Sequence, residues 1–261
     1  MDIPFEGRTD MGLRATISAK HLDTPGEAVK RRGRIVAFLV AVAASGFTSG
    51  AAAADCKSLP GPGTDWQNCN KRQLMLGGSD LKGSNLVDTD FASTDLNGSD
   101  LTATNLEKST LVRASLAGAR ADKANFSRVE AYRGDFSGIS AEGALFVSSE
   151  LQRADFAGAR LTGADFEKAE LGRANFDRAV LTGTRFSVAN LSRAVLSGAL
   201  FEGPIDFDRA FLFLTRIEGL DLSAATGLTQ DQIDLACGDA ATKLPVGLTA
   251  PSKWPCPPDD D

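Results

Sequence analysis

The residues best suited to chemistry in this chain fall on a fixed grid. Arg113, Arg133, Arg153, Arg173 and Arg193 recur every twenty residues, and Glu130, Glu150 and Glu170 sit three positions ahead of the middle three arginines. Paired carboxylates can serve glycoside hydrolysis, and arginine's planar fork engages carboxylates and phosphates bidentately. Yet ladders of one residue type are also the ordinary by-product of repetition. The rest of the catalytic inventory is thin. The only histidine is His21. Serines, aspartates and arginines fall at fixed phases, so nearness alone does not make a triad. Gly77-Gly78-Ser79-Asp80 faintly resembles a calcium-binding β-roll turn but does not recur every nine residues, and no phosphate-cradling glycine loop is present. The four cysteines show no C-x-x-C spacing, so zinc is not expected. The sequence therefore predicts a non-enzymatic protein with no cofactor and no metal.

The grid comes from a shorter period. A Leu or Phe recurs every five residues from Leu81 to Phe201, and of these 25 positions only Ala121, Ala131 and Ala141 differ. The residue two before is usually small (Ser79, Thr89, Ala154, Ala164), and the residue one before is often Asp or Asn (Asp80, Asn85, Asp155, Asn175). Five fits neither a helix nor a flat strand. It predicts a solenoid whose units gain a core only by stacking. Phe126, Phe136, Phe146, Phe156, Phe166, Phe176 and Phe186 recur every ten residues. On a four-sided coil that puts Phe on two opposite walls, with Ala121, Ala131 and Ala141 and then Leu151, Leu161, Leu171, Leu181 and Leu191 on the other two. Alternating large and smaller walls suit a narrow interior filled to crystal-like density.

Runs such as ADFAG ARLTG ADFEK AELGR ANFDR, Ala154 to Arg178, resemble the pentapeptide-repeat family, and the resemblance covers about residues 76–222. It implies an all-β fold, a right-handed quadrilateral β-helix with one pentapeptide per side. About seven coils at strand spacing of roughly 4.8 Å would make a rod on the order of 34 Å long. After Phe201 the register slips by one, to Phe207, Leu212, Ile217 and Leu222, with Pro204 at the slip. The expected organisation is a signal segment at 1–54, an N-terminal cap at 55–76, the β-helix at 77–223 and a C-terminal cap and tail at 224–261. Thr229-x-x-Gln232 reads as a capping box opening a short helix, Gln230 to Ala236, and Thr242 to Pro258 is expected to run extended. The flanking segments also resemble the caps of exported bacterial members of the family, whose function is unassigned.

Residues 30–54 have a basic start, a short apolar run and Ala52-Ala53-Ala54, the pattern of a secretory signal cleaved between Ala54 and Asp55. The apolar run is too short to span a bilayer, so no membrane span is expected in the mature chain. Residues 1–29 are either a long n-region or lie upstream of the true translation start, the second being the expectation. Removing 1–54 takes the net charge from −6 to −8, because that segment holds seven Lys/Arg and five Asp/Glu. In an exported chain, Cys56, Cys69, Cys237 and Cys256 read as two disulfides. Three pairings exist, and a β-helix between the two pairs favours local ones.

Two surfaces stand out. The five arginines should stack along one edge of the rod, with Lys108, Arg128 and Lys168 along the preceding side. The Glu column could neutralise them, leaving a solvated self-paired ladder, or they could dock an anionic polymer or an acidic partner. Val180, Val188, Val195, Leu200, Phe211 and Phe213 form an apolar set at outward phases, to be covered by the tail from Ala225 or by a homodimer partner. The expected function is an exported, periplasmic or secreted scaffold presenting a rigid surface to an unknown protein or anionic polymer of the cell envelope. The resemblance also raises DNA mimicry toward a topoisomerase, since some cytosolic members do this. Residues 81–222 hold 16 basic and 20 acidic residues, too mixed a charge for that role, and export would remove the chain from such a target. Net charge likewise disfavours nucleic-acid binding.

Overall fold

A computed structural model describes residues 54–257. The expected signal segment, apart from Ala54, and the question of the translation start lie outside the described residues. Each pentapeptide builds one short side and one corner. The central Leu or Phe accepts at its carbonyl the N–H three residues on, as in Leu111 to Ala114 at 2.9 Å and Phe156 to Ala159 at 3.0 Å. The third residue of this tight turn takes a positive φ. Gly118, Gly138 and Gly158 fill it with open space beside them, so there glycine relieves the backbone rather than a clash. The Asp or Asn before each centre braces the next corner. Asp135 accepts from the Ser137 N–H at 3.0 Å, Asp155 from Ala157 at 2.9 Å and Asn175 from Asp177 at 3.0 Å.

Successive coils pair in parallel, twenty residues apart, which means four sides per coil. Wall 1 carries Asp65, Asn85, Asn125 and Asp165 up to Thr226; wall 2 carries Asn70 through Glu130, Glu150, Glu170 and Asn190 to Phe211. Wall 3 carries Met75 through Asp135, Asp155 and Val195 to Arg216 and Cys237; wall 4 carries Asp80 through Arg120 and Val180 to Leu200. The slip appears in the ladder, where Arg185 pairs with Asp206, Asn190 with Phe211 and Val195 with Arg216. The extra residue is absorbed at the corner of Gly203 (φ 92°) and Pro204, and the Pro204 carbonyl accepts from Gly183 N–H at 3.0 Å. Proline lacks only the donor, so it suits this bulge.

The interior is a Leu/Phe column. Phe126, Phe146, Phe166 and Phe186 stack from wall 1, and Phe136, Phe156 and Phe176 from wall 3, all fully buried. Small residues two before each centre also face inward. Most of the hydroxylic ones bond to backbone carbonyls, Thr104 Oγ1 donating to that of Leu81 at 2.7 Å and Ser149 Oγ to that of Phe146 at 2.6 Å, while the buried Ser109 hydroxyl has no partner.

The ends differ from expectation in two places. The ladder begins at Asp65, inside the segment read as the N-terminal cap. Trp66 and Lys71 fall on the five-residue phase, and both occupy core positions. Lys71 is only 6% exposed; its Nζ lies 3.6 Å from the Trp66 ring centroid and donates to the Cys56 carbonyl at 2.8 Å. Burial lowers its pKa against the pull of Asp55. At the other end, helix α1, Gln230–Leu235, opens with Thr229 and Gln232 capping each other. Gln232 Nε2 then donates into the last coils, to the carbonyls of Phe207 (2.9 Å) and Ala210 (2.8 Å). The segment after α1 does not simply run extended. Lys243 rejoins the ladder opposite Asp221, and Trp254 packs on Gly238, where a Cβ would lie 2.5 Å from the ring. Cys56 pairs with Cys69 and Cys237 with Cys256, each at a Cα–Cα distance of 5.4 Å.

Candidate functional site

The arginine column forms the edge between walls 2 and 3. Arg113, Arg133, Arg153, Arg173 and Arg193 all hold the positive-φ corner position, φ 54–60°. Each backbone N–H donates one coil upward, Arg153 to the Gly172 carbonyl at 2.9 Å and Arg173 to that of Ser192 at 2.8 Å. The corners are thus locked into the ladder while the side chains project outward.

The side chains are not neutralised by the neighbouring Glu column. Among the described residues, Arg113, Arg133, Arg153 and Arg173 make no ion pair, nor do Glu130 and Glu150. Glu170 accepts from Asn190 Nδ2 at 2.8 Å. Arg133 lies 5.3 Å from the centre of the Tyr132 ring, and Arg193 is engaged. Every other described arginine is ion-paired: Arg72 with Asp90, Arg120 with Asp100, Arg128 with Glu107, Arg160 with Glu142, Arg178 with Asp177, Arg185 with Asp165, Arg209 with Asp208 and Arg216 with Glu218. The reason lies in the neighbours. All eight find a carboxylate within the same unit or about one coil away, and Arg128, Arg178 and Arg209 do so from the same positive-φ corner position. The residues just before Arg113, Arg133, Arg153 and Arg173 are instead the uncharged Val112, Tyr132, Gln152 and Gly172.

The apolar set does not form one patch. Val180 and Leu200 lie on wall 4, Val195 on wall 3, and Phe211 on wall 2. Phe213 follows Phe211 two residues on, and their rings stack at 6.2 Å. Val188 holds a corner between walls 1 and 2. Five residues along the chain carry a side chain to the next wall and only about twenty bring it back, so closeness along the chain does not translate into adjacency. The tail covers only the Val195 side: Cys256 lines a depression with Val195, Ser197, Arg216 and Glu218, and Arg216 donates to the Pro257 carbonyl at 2.8 Å. Leu200 stays 60%, Phe211 49% and Phe213 41% exposed.

Among the described residues, no cluster of His, Cys, Asp and Glu could hold a metal ion, and no helix is long and apolar enough to cross a membrane. Two features escaped the sequence reading. One is the bracing of each corner by the preceding Asp or Asn. The other is Lys71, whose core phase was in plain sight, ten residues before Leu81.

The family model of pentapeptide repeats matches in 8 copies, over residues 76–107, 109–146, 135–167, 149–187 and 169–203. The chain belongs to the pentapeptide-repeat family. A trypsin-treated form of QnrB1, a plasmid-mediated fluoroquinolone resistance protein, aligns over 69% of this chain and 90% of its own at 21% identity and a TM-score of 0.53. That likeness concerns the fold, a right-handed β-helix. HetL, involved in heterocyst differentiation regulation in the cyanobacterium Nostoc, aligns over 69% of this chain and 83% of its own at 24% identity and a TM-score of 0.26. A protein of the Arabidopsis thaliana thylakoid lumen aligns over 44% and 69% at 23% identity and a TM-score of 0.28. Comparison with curated proteins finds no match.

Proposed function

We propose that this chain is an exported, non-enzymatic interaction rod that offers the arginine edge of wall 2 to a protein or anionic polymer of the cell envelope. The observation that carries the reading is the contrast between four arginines without a carboxylate partner and eight that have one. Stacking like charges along a ladder costs free energy, and an external anion would offset it. Pentapeptide-repeat proteins are generally structural or interaction proteins, which supports the non-enzymatic reading. Export is supported by the signal-like segment ending at Ala54 and by cysteine pairs at both ends, a usage that belongs to oxidising compartments. Two experiments test the two halves of the reading. N-terminal sequencing of the purified secreted form should begin at Asp55; an intact Met1 or Met11 on mature protein defeats export. Envelope pull-down should lose its partner when Arg133, Arg153 and Arg173 are changed to Gln, and retention of the same partner defeats the arginine edge.

A further inference from the structure

Wall 2 carries a carboxylate column with a cationic column along each edge. On the edge shared with wall 1, Arg128 and Lys168 are already paired with Glu107 and Glu167, which leaves the carboxylates and Arg133, Arg153 and Arg173 as the two columns without ion pairs among the described residues. Glu130, Glu150 and Glu170 stack directly on one another in the ladder. Arg133, Arg153 and Arg173 stack along the adjoining edge at the same three levels. Between the columns runs the outward row Val112, Tyr132, Gln152, Gly172, Ser192 and Phe213. Coils rise by about 4.8 Å, so each column is a comb of like charges at that interval.

Such a pattern is self-complementary in one orientation only. Place a second rod with its wall 2 against this one, related by a twofold axis that runs along the rods between the columns. Each Arg column then faces the other rod's Glu column, level for level: Arg153 of one copy meets Glu150 of the other, and the reverse. An axis across the rods would set Arg on Arg and Glu on Glu, which repels. The uncharged row lies nearest the axis, with Gly172 and Ser192 allowing close approach. The exposed aromatic residues of the rod, Tyr132, Phe211 and Phe213, all lie on this wall. Phe213, in the central row, would meet its own copy. Phe211 and Phe213 are already stacked at 6.2 Å, a flat apolar platform at the upper end of the contact.

We infer that wall 2 is an isologous interface joining two copies of this chain side by side and parallel. The inference rests on the reading of the arginine edge as an interaction surface and names its first occupant. One wall is narrow, so the contact falls below the roughly 1,200 Å² of stable complexes and belongs to the transient class. Association is therefore concentration-dependent and weakens with salt, since exposed charges are screened within about 8 Å at physiological ionic strength.

Sedimentation velocity of the purified protein across a concentration series, at low and high salt, gives the dissociation constant. Arg153→Glu and Glu150→Arg should each weaken the dimer about tenfold, because symmetry makes every substitution spoil two charge pairs. The double variant, which exchanges the charges, should restore association. Both positions are solvent-facing, and circular dichroism of each variant checks that the fold survives. Val112→Cys, near the lower end of the central row, should form a disulfide with its own copy, which a crosswise arrangement would not allow. A protein that stays monomeric at every concentration overturns the inference, and so does a dimer indifferent to the single substitutions or not restored by the double. In those cases loss of the envelope partner on changing Arg133, Arg153 and Arg173 to Gln would leave the functional reading standing. Conversely, Glu150→Arg separates the two, because it breaks the dimer but does not remove a docking cation.

Discussion

Phe156 lies face to face on Phe136, with ring centroids 4.9 Å apart and planes 14° from parallel. One coil above, it stacks in the same way on Phe176 at 5.1 Å. Across the interior it meets Phe146 and Phe166 edge-on, at 5.7 and 5.6 Å. The spacing of the stack is set by the ladder, which brings equivalent residues to strand separation, while the edge-to-face contacts knit the two stacks together. Each ring therefore lends its π face to its own wall and its edge to the opposite one, an arrangement worth more than area burial alone.

It follows that Phe156→Ala should be among the most damaging single changes. The ring is fully buried, and its neighbours are held by their own hydrogen-bonded coils, so they cannot collapse into the space. The loss should be about 3–5 kcal/mol, read from the shift of the denaturant midpoint at unchanged slope. A loss below about 1 kcal/mol would mean that the stack contributes little of what its geometry suggests.

The C-terminal cap should respond to acid. Asp221 bridges Lys243 across the ladder, and their side chains meet at 2.8 Å. Hydrogen bonds from Lys243 and then Ser223 hold the Asp221 carboxyl down at about 2. A depressed carboxylate stabilises the fold above its unfolded pKa, near 4, and that contribution disappears as pH falls through about 2. Amide exchange at Lys243 and Leu222, which are joined by a backbone hydrogen bond of 2.8 Å, should quicken over this window. Asp221→Asn should reduce the pH dependence, the remainder belonging to Asp239, whose carboxyl is also held below the usual range by hydrogen bonds from Gly219 and Thr242. Exchange there that does not change between pH 4 and 2 would speak against the cap being held by this pair.

How far the fold could be read from the sequence depended on which signal recurred. The five-residue period gave the inward phase of the central Leu and Phe residues, and the ten-residue Phe period gave the opposite walls that the two ring stacks occupy. The Thr229–Gln232 box could be read because capping is local. The apolar set from Val180 to Phe213 could not, because neighbours on a solenoid are about twenty residues apart, and Leu200 and Phe211, eleven apart across the slip at Pro204, fall on different walls. Ion pairing was equally hidden. Glu150 and Arg153 are close in sequence, yet they project from the flat of a wall and from its corner, and only side-chain directions show that they miss each other.

Each disulfide closes a short loop at one end, with sequence separations of 13 and 19. Constraint of the unfolded chain by loops of that size stabilises by roughly 3 kcal/mol. Cys237→Ser together with Cys256→Ser should therefore lower stability by about that amount and free the tail from the Val195 side of wall 3. Peptide mapping without reduction should recover Cys56 with Cys69 and Cys237 with Cys256; free thiols, or Cys69 joined to Cys237, would contradict the two local closures.

The arginine edge makes the last prediction. Arg113, Arg133, Arg153 and Arg173 sit in corners whose backbone is fixed by the ladder, so replacing their side chains should leave the rod intact. Arg133→Gln, Arg153→Gln and Arg173→Gln together should shift the thermal midpoint little, because surface charges without partners contribute within about 0.5 kcal/mol of nothing. They should nevertheless abolish capture of the anionic envelope partner. Wild-type capture should fall steeply with added salt, as binding through exposed charges does. A control set drawn from ion-paired arginines, Arg120→Gln and Arg160→Gln, should behave in the opposite sense. Those side chains already engage Asp100 and Glu142, so their loss should leave capture unchanged. Equal losses from both sets would show that capture follows the overall charge of the rod and not this edge.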